Sequence, residues 1–258
     1  MRFARRYSDL ILEIAATAAL LAGAWVYLAG DRGYAWVSVP EMLGAFKDAW
    51  LFDRFSSDVV PSLSRLALGF GVAVLLGIAV GVALGMSRVI RMLALPVVSF
   101  LRAVPAVALL PLSIVLFGID SAQKVAVIAF VCSWPIVLNT ADGVASLDST
   151  MLMTARSYRL SRLELIRYVI APGIVPRVFT GMRVSISLAV LLLVTSEMVA
   201  ATSGIGFFVW QAQLTFSIAD MWAGIILLGL LGYTLNGAFL LLEKRFCRWN
   251  TEMKGNRS

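Results

Sequence analysis

The chain has 258 residues, 60% of them hydrophobic and only 14% charged, with 20 glycines and seven tryptophans, and its mean hydropathy is +0.88. Soluble domains carry about 25% charged residues, so this composition excludes an ordinary soluble fold and places the chain in a membrane. The net charge of +7 then reports topology, because basic residues mark cytoplasmic loops, and nucleic acid is not an expected partner. There is no histidine. Cys132 and Cys247 fall at different expected depths, so neither a disulfide nor a metal site is expected.

Residues 10–29 form the first expected span, preceded by Arg2, Arg5 and Arg6. The apolar run exceeds an ordinary signal-peptide core and lacks a small-residue cleavage site, so it reads as a retained helix. Residues 31–64 are a polar connection with an amphipathic piece at 40–55. The second span, 66–86, is uncharged and about the ~20 residues needed to cross the hydrocarbon. Gly77, Gly81 and Gly85 recur there in four-residue steps that permit close helix approach. Arg88 and Arg91 mark a short loop. Residues 92–119 follow, apolar but interrupted by Pro96, Arg102, Pro105 and Pro111, and are expected to kink. Residues 120–124 read as a polar turn. The fourth span, 125–141, is broken by Pro135 and ends near Asn139.

Residues 142–177 form a polar island with five arginines and three acids. Asp148 or Ser149 is a good helix N-cap, and Leu147, Met151, Ala155 and Tyr158 recur on one helical face. Ser161 and Glu164 have the capping-box spacing of a second helix start. Pro172, Gly173 and Pro176 are then expected to stop or redirect the chain. The fifth span, 178–200, carries Arg183 near its start and Glu197 near its end. Residues 202–219 are uncharged and rich in glycine and aromatics, which suits an interfacial or re-entrant segment. The sixth span is 221–242, and a basic tail follows.

Lys and Arg number three at the N-terminus, two in the 88–91 loop, five in the island and five in the tail. The other side holds four: Arg32, Lys47, Arg54 and Lys124. That asymmetry predicts six spans with both termini and the island cytoplasmic. The expected divisions are 1–64 (first helix and extracytoplasmic connection), 65–245 (core, containing the 142–177 loop) and 246–258 (tail).

No G-x-x-x-x-G-K-[ST] phosphate loop occurs, so ATP hydrolysis is not expected in this chain. No catalytic or metal-ligand cluster stands out, and no cofactor is expected. Ionisable groups at membrane depth are functional candidates. Arg102 and Glu197 are candidates for the pathway or its gate, together with Asn139, or for buried structural roles; Arg183 reads as an interfacial anchor.

The stretches PSLSRLALGFGVAVLLGIAVGVALGMSR, LRAVPAVALLPLSIVLFGI, the island and SEMVAATSGIGFFVWQAQ together resemble the inner-membrane permease subunit of ABC importers of the nitrate/sulfonate/taurine/bicarbonate type. The resemblance implies an all-α polytopic membrane protein like the type I importer permeases, without enzyme activity of its own. It also implies two copies of a cytoplasmic ATPase, an extracytoplasmic solute-binding protein and a second copy of the chain as partners. The solute implied is small and often anionic. The island is similar to the "EAA" loop, whose first helix is the coupling helix, so Met153, Thr154, Ala155, Arg156, Tyr158, Arg159, Ser161, Arg162 and Glu164 are implied to couple to the ATPase. Ala155 matches the second Ala of that pattern and Pro172 its final Pro, while Met153, Thr154 and Arg159 stand where Glu, Ala and Gly are expected. A Gly at 159 would supply a left-handed cap; Arg159 either adopts that conformation or the break is built differently. Pro105, Pro111 and Pro172 are the expected structural kinks. A stand-alone secondary transporter or channel is the competing class.

Overall fold

The computed structural model describes residues 37–247; the predicted first span at 10–29 and the end of the tail lie outside them. The described residues are helical almost throughout. Ser38 and Glu41 form a capping box, with Pro40 in the first turn, and start α1 (Val39–Lys47). Two π-helical turns (Asp48–Asp53 and Phe55–Val59) lead into α2 (Val60–Met86). Then come α3 (Arg88–Ala103), a 3-10 turn (Ala106–Ala108) and α4 (Leu109–Phe117). The chain continues through α5 (Ser121–Ala145), α6 (Ser149–Ser157) and α7 (Arg162–Leu165). A π-helical turn (Ile166–Ile170) joins α7 to α8 (Ala171–Ala200), followed by α9 (Ile205–Leu214) and α10 (Ile218–Phe246).

Among the described residues four helical runs are long and apolar enough to span a membrane: Phe55–Met86, Ser121–Ala145, Arg162–Ala200 and Ile218–Phe246. The pair Arg88–Ala103 and Ala106–Phe117, bent by 78°, makes a fifth if counted as one span. The kink expected in 92–119 is therefore real, and it sits at Val104 and Pro105. Pro111 lies in the first turn of α4, where a missing N–H costs nothing.

The core is built where α2 meets α5. Gly69, Ala73, Gly77, Gly81 and Gly85 form a four-residue stripe on α2, and a Cβ added to Gly77 would lie 2.7 Å from Ile136 of α5. Helix association in lipid relies on such close backbone approach, because lipid tails are as apolar as leucine. The face of α5 against this stripe carries Ile128, Ile136 and Thr140, all fully buried. On its other side α5 packs on α8, where an added Cβ at Gly181 would lie 2.9 Å from the Pro135 carbonyl. Trp50 anchors the chain before α2, donating its indole N–H to the Ala223 carbonyl of α10 at 3.1 Å and meeting Phe208 of α9 edge to face.

Several expected boundaries are corrected. Arg88 and Arg91 belong to the opening of α3, with Ser87 as the N-cap, because a single extended residue suffices to turn the chain. Residues 120–124 are not a turn, since α5 begins at Ser121 and Lys124 is buried within it at 1% exposure. Pro135 does not break α5. Pro172 and Pro176 do not interrupt the chain either: Pro172 sits in the first turn of α8 and the helix runs on through Pro176. Proline is tolerated in a first helical turn, and the preceding π-helical turn carries the chain from α7 into α8 without a break.

Candidate functional site

The island folds as a helix, a break and a second helix. Asp148 accepts from the Thr150 amide at 2.8 Å to start α6, and Ser161 and Glu164 form a reciprocal capping box at α7. Between the two helices Arg159 has φ 54°, the left-handed conformation. Ala155 is 5% exposed and turned inward, so it seats α6 on its own chain and offers no outer contact. Met153, Tyr158 and Leu163 are exposed, Tyr158 at 78%, as are Thr154, Arg159 and Arg162. The side chain of Arg156 lies outside the described residues. Asp142, at the end of α5, pairs with Arg91 of α3 and ties the base of the island to the bent helix pair.

A second feature lies where α3 bends. A cavity of about 450 Å³ is lined there by Arg102, Pro105, Trp134, Asn139, Val184 and Leu188, among others. Two of the predicted pathway residues, Arg102 and Asn139, thus meet in one cavity. Glu197 is not among its lining residues. Arg183, expected as an anchor, pairs with Glu243 of α10.

Glu197 is instead the centre of a buried polar cluster at the opposite end of the bundle from the island. It is fully buried and lies 2.8 Å from Nη1 of Arg65. Ser62 donates its hydroxyl to the same carboxylate at 2.8 Å, and the Gly206 amide donates to it at 3.0 Å. Arg65 is bonded at all three nitrogens: Nη1 also donates to the Ser203 carbonyl, Nη2 to the Ser203 hydroxyl and Nε to Ser121. Asp58 accepts from the Gly204 amide at 2.7 Å and Ser62 from the Ile205 amide at 2.9 Å. The first amides of α9 are therefore capped by three side chains from α8, α2 and the turn before it. Lys124 donates to the Ala200 carbonyl, a cation at the C-terminal end of α8. Carboxylates at a helix start and a cation at a helix end both complement the helix dipole. Two cations and two carboxylates hold the short link 201–204 against α2 and α5.

Of this cluster only Glu197 was singled out from the sequence. Arg65 lies just before the expected span 66–86, and Lys124 was assigned to a turn. The available signal was charge at a span boundary beside glycine-rich chain.

The family model described as "Binding-protein-dependent transport system inner membrane component" matches residues 73–248. The taurine transport system permease protein of Escherichia coli (strain K12) is 32% identical over 209 residues, covering 81% of this chain and 74% of that protein. The nitrate import permease protein of Leptolyngbya laminosa is 37% identical over 206 residues, covering 80% and 72%. An inward-facing MetNI methionine ABC transporter structure superposes with TM-score 0.62 at 18% identity, over 81% of this chain and 99% of that one. The chain belongs to the family of binding-protein-dependent transport system inner membrane components, the permease subunits of ABC importers. The relatives it matches are transport permeases, not enzymes.

Proposed function

We propose that two copies of this chain form the pathway of an ATP-driven importer for a small anionic solute. A separate ATPase dimer engages loop 142–177 on the cytoplasmic side, and an extracytoplasmic binding protein delivers the solute. Both termini are then cytoplasmic. The observation that carries the reading is the island's outer surface. Met153, Tyr158 and Leu163 stand exposed on a basic helix–break–helix whose own core contact is made by Ala155. Apolar side chains held out on a structured, charged loop suit a docking partner. Arg162, Arg159 and Tyr158 supply charge and contact area there, while Ser161 and Glu164 hold the second helix and are spent on its cap. The relatives named for taurine and nitrate support an oxyanion as solute.

Reconstitution with and without a cognate ATPase tests this. Uptake into vesicles is expected only with ATP and the ATPase present, and Arg162→Glu should weaken co-purification of the two. Uptake that persists without the ATPase would overturn it and favour a stand-alone transporter.

A further inference from the structure

Arg102 has no anionic partner among the described residues. Among the described residues, the ion pairs are those of Arg54, Arg65, Arg91 and Arg183, and no hydrogen bond reaches the Arg102 guanidinium. It lies in the last turn of α3 and lines the cavity at the 78° bend. The depth follows from α5. That helix has 25 residues, about 37 Å at 1.5 Å per residue, and the cavity-lining Trp134 and Asn139 fall about 20 and 27 Å from its Ser121 end. A guanidinium at such depth is too costly to leave against lipid, so it requires water or an anion.

Asn139 is the other polar side chain of the cavity, and Trp134 lines it with its ring while its indole N–H is buried without access to it. Asn139 gives one amide hydrogen to the Pro135 carbonyl at 2.8 Å and retains a second. The remaining walls, from Phe130, Val184 and Leu188, are apolar. One fixed cation, a spare amide hydrogen on Asn139 and an apolar shell fit a compact oxyanion with a short organic substituent or none.

We propose that this cavity is a solute-binding site for a monovalent oxyanion, in which Arg102 holds the charged group, Asn139 donates to a remaining oxygen and the Trp134 ring packs against the solute. The proposal rests on the importer reading above but is read out separately, by binding to the permease in the absence of ATP and ATPase. Guanidinium pairs with oxyanions bidentately where an ammonium acts as a point charge, so a lysine should serve only in part.

The full-length chain in detergent is titrated with sodium ethanesulfonate and sodium nitrate, with sodium chloride at equal ionic strength and neutral dimethyl sulfone as controls. Tryptophan fluorescence and the thermal midpoint are recorded. The wild type should respond to ethanesulfonate or nitrate and not to either control. Arg102→Gln should weaken that binding at least tenfold, Arg102→Lys less, and Trp134→Phe by a smaller factor. Arg102 is exposed in the single chain, so the melting profile without ligand should be retained and will show that the variants fold. Equal binding by wild type and Arg102→Gln, an equal response to dimethyl sulfone, or no response of the wild type up to about 50 mM anion, well past the weak millimolar range, would each overturn the site. If the site fails while uptake still depends on the ATPase, the importer reading stands.

Discussion

The guanidinium of Arg65 lies 2.8 Å from the carboxylate of Glu197, joining α2 to α8 across 132 residues of sequence. Both are buried, and their hydrogen bonds to each other and to Ser62, Ser121, Ser203 and Gly206 hold them as a structural pair. Breaking such a pair from one side leaves an uncompensated buried charge and costs about 3–5 kcal/mol. Glu197→Gln and Arg65→Gln should each lower the stability in detergent by that order, seen as a lower thermal midpoint. The double variant Arg65→Met/Glu197→Met should cost less than the sum of the two, because neither charge is then stranded. Additive losses in this cycle would show that the two residues act independently.

Gly204 has φ 128°, and a side chain there would run into the Glu197 carboxylate. Gly204→Ala is therefore both strained and obstructed, and should destabilise by about 1–3 kcal/mol. Gly229 in α10 has open space around it, so Gly229→Ala should instead stabilise by about 0.5–1 kcal/mol through helix propensity. Comparing the two melting curves checks the assignment, and equal effects would contradict it.

Gly81→Val should loosen α2 from α5. An added Cβ already falls 2.5 Å from the Thr140 Cβ, and overpacking a close contact costs about 1–3 kcal/mol or more. Gly71→Val, on an open face of the same helix, serves as the control. The measurement is again thermal stability, and a loss confined to Gly81→Val is the expected result.

Arg159 holds a left-handed backbone at φ 54°. An L-residue pays about 1–2 kcal/mol for that conformation, whereas glycine adopts it freely but loses more entropy on folding. Arg159→Gly should therefore gain up to about 1 kcal/mol in stability. If Arg159 also touches the ATPase, the same substitution should weaken co-purification while the melting temperature rises. A fall in stability would show that the break does not need this conformation.

Helical periodicity and the Ser161–Glu164 spacing located the island's two helices, because both rest on residues three or four apart. The left-handed turn at Arg159 was one of two open alternatives, since an arginine there does not announce a positive φ. Pro172 and Pro176 look like stops, yet a π-helical turn carries the chain into α8, where Pro172 falls in the first turn and the helix runs on through Pro176. Lys124 misled for a related reason, as hydropathy treats a lysine as a boundary while the fold buries it at 1% exposure against the end of α8.

By itself the sequence determined the membrane character of the chain and the small-residue stripe on α2, which follow from composition and short-range spacing, while the family was legible through the resemblance of whole stretches. Only the tertiary structure decided which groups surround Glu197 and Arg102. The start of α9 has no cap of its own and takes one from Asp58, Ser62 and Glu197, of which Asp58 is 146 residues away. Such satisfaction of buried charges and helix ends depends on which distant groups packing brings within 3 Å of each other. The same packing surrounds Glu197 with partners and, among the described residues, brings none to Arg102.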